Sequence, residues 1–161
     1  EIRRINPSNV VELGAGASTL VAAQALRLQG AGRLHSVDHH AGFAAATAQW
    51  LAEYDLVADV RHAPLEVSSP NWPYPWYRLE DIPARIDLLI SDVGLPGEMN
   101  GKLMVDAARE KRPDLKVLFI TGYAENAAIT NGHLDPGMHV MSKPFAIDKL
   151  AARIRSIITS E

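Results

Sequence analysis

Apolar residues alternate along this chain between short runs and longer stretches in which they recur every three or four positions. The runs NVVEL (9–13), RLHSVD (33–38), ADVRHAPL (58–65), IDLLISD (86–92), KVLFITG (116–122) and MHVMSKP (138–144) predict six strands. The run at 86–92 is almost continuously apolar, the pattern of a strand covered on both faces. Between the runs, helical periodicity predicts helices over 18–29, 41–55, 101–113, 125–133 and 146–159. The second should place Phe43, Ala46, Trp50, Leu51 and Tyr54 on one face; the last should bury Ile147, Leu150, Ala151, Ile154, Ile157 and Ile158. Strands alternating with helices imply βαβ units, and right-handed crossovers put helices on both faces of a parallel sheet.

The segment SSPNWPYPWYRLEDIPAR (68–85) interrupts this rhythm, because its four prolines prevent a regular helix. Trp72, Tyr74, Trp76 and Tyr77 lie among them. The segment reads either as a polyproline-type recognition stretch or, in keeping with what aromatic rings mostly do, as a long connection whose rings pack on the edge of the core.

Composition narrows the function. The 161 residues suit one domain, and 47% apolar content suits a packed core. A formal net charge of −3 argues against nucleic-acid binding. The absence of cysteine removes thiolate catalysis and zinc–thiolate sites. No apolar run is long enough to span a membrane, and EIRRINPSN has no signal core, reading instead as the tail of a helix cut mid-element. The expectation is a cytoplasmic, monomeric chain with no evident partner, as made in a recombinant host.

Two constellations carry chemistry. In VVELGAGAST (10–19), Gly14 and Gly16 stand between a strand and a helix, where glycine permits a tight turn and lets backbone N–H groups approach a ligand. Ser18 sits where an N-cap is expected, and the second strand ends in Asp38, where a carboxylate can accept from ribose hydroxyls. The third glycine of a strict dinucleotide fingerprint is absent. With LHSVDHH, this stretch resembles the class I S-adenosylmethionine-dependent methyltransferases over about residues 1–91. The resemblance implies that Gly14 and Gly16 approach the methionine part of the cofactor above Glu12. It also implies that Asp38 holds the ribose and that the loop at His62, Ala63 and Pro64 lies near the adenine. The family's acceptor-binding strands have no counterpart after Asp92, so methyl transfer is not expected.

From residue 86 to about 158, DLLISDVGLPGEMNG, KVLFITGYA and HVMSKPF resemble the receiver domain of response regulators and hybrid histidine kinases. That resemblance makes Asp92 the phosphoacceptor, Thr121 the hydroxyl that binds the phosphoryl group, and Lys143, followed by Pro144 and Phe145, the partner cation. A carboxylate attacks phosphorus while an ammonium and a hydroxyl neutralise the equatorial oxygens. A receiver's first two strands, with the acidic pair that completes its Mg²⁺ site, are missing. Glu12 followed by Leu13 leaves Glu12 and Asp92 as at best a weak Mg²⁺ pair. Val140 stands where the receiver's aromatic switch residue is expected. Adjacent loop residues such as His39 and His40 rarely converge on one metal; His35, His133 and His139 read as surface or strand-edge residues.

The strand at 86–92 satisfies both resemblances. Joined there, the halves 1–85 and 86–161 make a single α/β domain: a three-layer α/β/α sandwich with a doubly wound, parallel six-stranded sheet in the order 3-2-1-4-5-6. The expectation is an engineered Rossmann-like/flavodoxin-like chimera without enzymatic activity. It requires no cofactor but retains weak S-adenosylmethionine or S-adenosylhomocysteine binding; the alternative is a phosphorelay module that accepts a phosphoryl group on Asp92.

Overall fold

A computed structural model describes residues 9–67, 75–77, 80, 82–93, 101–122 and 134–160. Its elements in chain order are β1 (Asn9–Leu13), α1 (Ala17–Gln29), β2 (Arg33–Asp38), α2 (Ala41–Glu53), β3 (Asp59–His62), β4 (Leu65–Glu66), β5 (Trp76–Tyr77), β6 (Leu88–Asp92), α3 (Gly101–Lys111), β7 (Val117–Thr121), β8 (Met138–Ser142) and α4 (Ile147–Thr159). Six strands form one sheet in the order β3-β2-β1-β6-β7-β8, every neighbouring pair parallel. This is the expected 3-2-1-4-5-6 arrangement once the short β4 and β5 are set aside. The expected helix at 125–133, the turn at 94–100, and Trp72, Tyr74 and His133 lie outside the described residues.

The central strands are buried on both faces, and alternation along them feeds two cores. Val10, Leu88, Ile90, Leu118 and Ile120 pack on one face against α1 and α4, through Ala22, Leu26, Leu150, Ile154 and Ile157. Val11, Leu13, Leu89, Val117 and Phe119 pack on the other, against Met104 and Val105 of α3 and against Tyr77. The sheet therefore runs without interruption across β6, which pairs with β1 on one side and β7 on the other.

Three elements differ from the sequence expectation. In α2 the buried residues are Ala44, Thr47 and Leu51, while Phe43, Trp50 and Tyr54 are exposed. Both sets recur at helical spacing; the helix turns its smaller residues toward the sheet and leaves the aromatic stripe outside. Ile147 of α4 is likewise exposed, although the rest of its predicted face is buried. The strand expected over 58–65 stops at His62. Ala63 N–H still donates to the Asp38 carbonyl at 2.8 Å, but Pro64 has no N–H with which to continue the ladder. Leu65–Glu66 then leaves the sheet and pairs antiparallel with Trp76–Tyr77. Tyr77 is buried and meets Trp76 edge-on, so this part of the proline-rich segment does packing work.

Candidate functional site

In a sheet of this order, strand connections diverge on either side of β1 and β6, opening a crevice beyond their C-terminal ends. A cleft of about 520 Å³ lies there, within the usual range for a small-molecule site. Its walls include Glu12, Gly14, Gly16, Ser18 and Asp38 from the β1–α1–β2 side, and Asp92 and Lys143 from the β6–β8 side. The two constellations read separately from the sequence thus face one space.

The β1–α1–β2 wall is built from buried, hydrogen-bonded groups. Gly14 has φ +90°, a conformation L side chains rarely adopt. A Cβ at Gly14 or Gly16 would meet nothing within 4 Å, so both positions border open space. Ser18 is not the N-cap of α1; Gly16 holds that position. Thr19 takes over the capping role, because its Oγ1 accepts the Gly16 N–H at 2.9 Å and donates to Glu12 Oε2 at 2.5 Å. Ser36 Oγ donates to the same oxygen at 2.8 Å. Glu12 is 1% exposed, and its other oxygen, Oε1, has no hydrogen-bond partner. Burial pushes its carboxyl above the ordinary carboxylate range, and the nearby Asp38 charge adds to the rise; the hydroxyls of Ser18, Thr19 and Ser36 oppose it.

Asp38 is 4% exposed and tied to the backbone. Its Oδ2 accepts the Ala15 N–H at 2.9 Å and its Oδ1 accepts the His40 N–H at 2.7 Å, with His39 Nδ1 3.7 Å away. A carboxylate has about four acceptor positions, so two remain for a ligand hydroxyl. Tyr77, which the sequence reading left among packing aromatics, also lines the cleft. Burial, with Asp38 and Glu12 nearby, pushes its phenol well above the usual range. His62 is exposed, its Nε2 3.1 Å from the carbonyl of the lining residue His39, and is not itself among the cleft residues.

The opposite wall is more open. Asp92 ends β6, and Lys143, just past β8, reaches over the end of β7 to place Nζ 2.5 Å from Asp92 Oδ2. Their side chains are 33% and 48% exposed. Thr121 ends β7, fully buried, and its Oγ1 donates to the Gly122 carbonyl at 3.0 Å. It is not among the residues lining the cleft. Gly101 starts α3 against this wall: a Cβ there would stand 2.2 Å from the Asp92 carbonyl oxygen. Glycine is therefore what allows α3 to close on the end of β6, a requirement visible only in the tertiary packing. Val140 is partly buried in the α3-side core.

The donors present suit an adenosyl ligand better than a divalent cation. The open glycine turn, the spare acceptor positions of Asp38 and the orphaned Glu12 Oε1 can receive the former. A Mg²⁺ site needs deprotonated oxygen ligands. Glu12 is buried, already engaged by two hydroxyls and raised toward its neutral form, so it does not fit as the second carboxylate beside Asp92. Among the described residues, no group of three or more His, Asp or Glu could hold a metal ion. No helix among them is long and apolar enough to cross a membrane.

The methyltransferase domain family matches residues 11–119. This runs beyond the resemblance to residue 91 and takes in β6, α3 and most of β7, a βαβ unit of the kind both Rossmann-like and flavodoxin-like folds contain. Two curated proteins of Brucella abortus (strain 2308) are similar in sequence. The sensor kinase CckA is 31% identical over 83 residues, 52% of this chain and 9% of that protein. The response regulator receiver protein CpdR is 36% identical over 88 residues, 55% of this chain and 71% of that protein. A response regulator receiver protein from Sinorhizobium medicae WSM419 shares the fold at a TM-score of 0.54 and 16% identity, covering 96% of both chains. The topology accounts for a likeness to both families. Without β3, the order β2-β1-β6-β7-β8 is the flavodoxin-like 2-1-3-4-5; with β3 beyond β2, it is the Rossmann order. The chain belongs to the methyltransferase domain family over residues 11–119 and, through its kinship with CpdR, to the response regulator receiver family.

Proposed function

We propose that this chain is a receiver-type phosphoacceptor module in which Asp92 takes up a phosphoryl group, carried on a sheet whose other half is of methyltransferase type. The observation that carries this reading is the 2.5 Å contact between Lys143 Nζ and Asp92 Oδ2. It sets a fixed ammonium beside an accessible carboxylate at the C-terminal edge of the sheet. An Asp92 oxygen would attack the phosphorus of an acyl phosphate, the donor's carboxylate would leave, and Lys143 would neutralise charge on the transferred group. The ill-fitting Mg²⁺ partner at Glu12 makes slow transfer the expectation. Intact mass after treatment with acetyl phosphate and Mg²⁺ tests the reading. A gain of one phosphoryl group that Asp92→Ala abolishes supports it, and an unchanged mass in the parent chain ends it.

A second reading has its own support. The orphaned Oε1 of Glu12, the positive φ of Gly14 and the buried Asp38 favour weak binding of S-adenosylmethionine or S-adenosylhomocysteine in the same cleft. Titration calorimetry with S-adenosylhomocysteine decides it: no heat at millimolar ligand removes the reading. No methyl transfer is proposed. We read the join at β6 as an engineered one, because a single strand serves both parents. A natural chain with the same join would overturn that view.

A further inference from the structure

The two inherited sites open onto one cleft, which bears on both readings above. Gly14 and Gly16 line the cleft whose other wall carries Asp92 and Lys143, and its volume is about 520 Å³. A drug-sized ligand has most of its surface buried in a pocket of this class, so little room remains for a second reactant. Glu12 Oε1, buried and without a partner, marks the glycine-turn wall as one that a ligand's polar group would complete. On the facing wall, Lys143 must remain reachable if Asp92 is to meet a phosphoryl donor.

We infer that this is a single, mutually exclusive site: an adenosyl ligand on the Gly14–Gly16 turn covers Lys143 and blocks phosphorylation of Asp92, and a phosphoryl group on Asp92 weakens that ligand in return. The antagonism rests on the two readings proposed above and follows from their join, since each parent supplies only one wall. The coupling is reciprocal by linkage: the factor by which ligand disfavours the phosphorylated state is the factor by which phosphorylation weakens the ligand.

The test uses the whole chain with S-adenosylhomocysteine, which carries no transferable methyl group. Calorimetry first fixes its Kd. Phosphorylation by acetyl phosphate is then followed by intact mass with and without ligand at ten times Kd; simple competition predicts a rate about tenfold lower. In parallel, acylation of lysines by acetic anhydride is read peptide by peptide. Lys143 should be protected by the ligand, whereas Lys102 on α3 and Lys149 on α4 should not. Loss of the phosphorylation signal in the ligand-free arm would overturn the phosphoacceptor reading and with it the antagonism, while protection of Lys143 would still report the shared cleft. Binding that leaves Lys143 unprotected, or leaves the phosphorylation rate unchanged, overturns the inference; absence of ligand binding overturns it together with the adenosyl reading. Gly16→Val, which places a branched side chain into open space in the cleft, should weaken the ligand and restore phosphorylation in its presence.

Discussion

The two walls of the cleft each present carboxylates, but they use them differently. On the β1–α1–β2 wall, Asp38 and Glu12 are almost wholly buried; both Asp38 oxygens accept backbone N–H groups, and Glu12 Oε2 accepts two side-chain hydroxyls. On the β6–β8 wall, Asp92 is one third exposed and contacts a cation that is itself half exposed. A buried carboxylate that satisfies backbone donors is a structural part, and removing it leaves those donors without a partner. A partly exposed carboxylate beside an exposed ammonium adds little to stability. The closed wall is therefore tied into the fold, and the open wall is not.

The contrast is sharpest in the mutants it predicts. Asp38→Ala should cost about 3 kcal/mol in urea unfolding, because two charge-assisted bonds to Ala15 N–H and His40 N–H disappear from a buried position. A loss below about 1 kcal/mol would place Asp38 with the reactive carboxylates. Gly101→Ala should cost about 2 kcal/mol, since its Cβ meets the backbone oxygen of Asp92 and α3 has to back away. The same variant should slow phosphorylation of Asp92, a readout that a remote packing defect would not move. Asp92→Ala should change stability by about 0–1 kcal/mol while abolishing the phosphoryl mass shift. A larger loss would mean that the open wall, too, is structural.

Two smaller effects depend on pH. Burial raises the Glu12 carboxyl above its ordinary 4.5, so above pH 4.5 the unfolded chain releases a proton that the folded chain retains. Its contribution to stability is whole below pH 4.5 and is lost as pH rises through the raised value. Glu12→Gln should therefore gain on the parent chain between pH 4 and pH 7 in thermal melts, and parallel melting curves would show that Glu12 ionises freely. His139 has the opposite direction for a base: burial first, then Arg153 and Lys116, hold it below its ordinary 6.5. Its contribution is present above pH 6.5 and lost as pH falls through the lowered value, as the unfolded chain takes up its proton first. His139→Gln should flatten the loss of stability just below pH 6.5, with the smallest effect of the series because the ring is only partly buried.

Much of the molecule was legible in the pattern. Alternating apolar runs located the six strands of the sheet, and the two-sided burial of β6 followed from its unbroken apolar run. Gly14, Asp38 and Asp92 stand at strand ends, where a parallel sheet exposes its ligand-binding edge, so their convergence could be read from order alone. Other features were not local. Two apolar stripes of equal period run along α2, and only the fit against the sheet selected Ala44, Thr47 and Leu51 over Phe43, Trp50 and Tyr54. Pro64 signalled a break, but nothing nearby showed that Leu65–Glu66 would pair with Trp76–Tyr77 and bring Tyr77 to the cleft.

The sequence by itself determined the class of fold, the strand order and the kinship with two families. These depend on short-range periodicity and on motifs read within single segments. Tertiary structure alone decided the surroundings of the carboxylates. Glu12 and Asp92 look alike along the chain, one acid at the end of one apolar run. Their surroundings part only when folding buries Glu12 against Thr19 and Ser36, which raises its pKa, and leaves Asp92 partly exposed in contact with Lys143, because burial and the nearest partner, not residue type, set the environment of an acid.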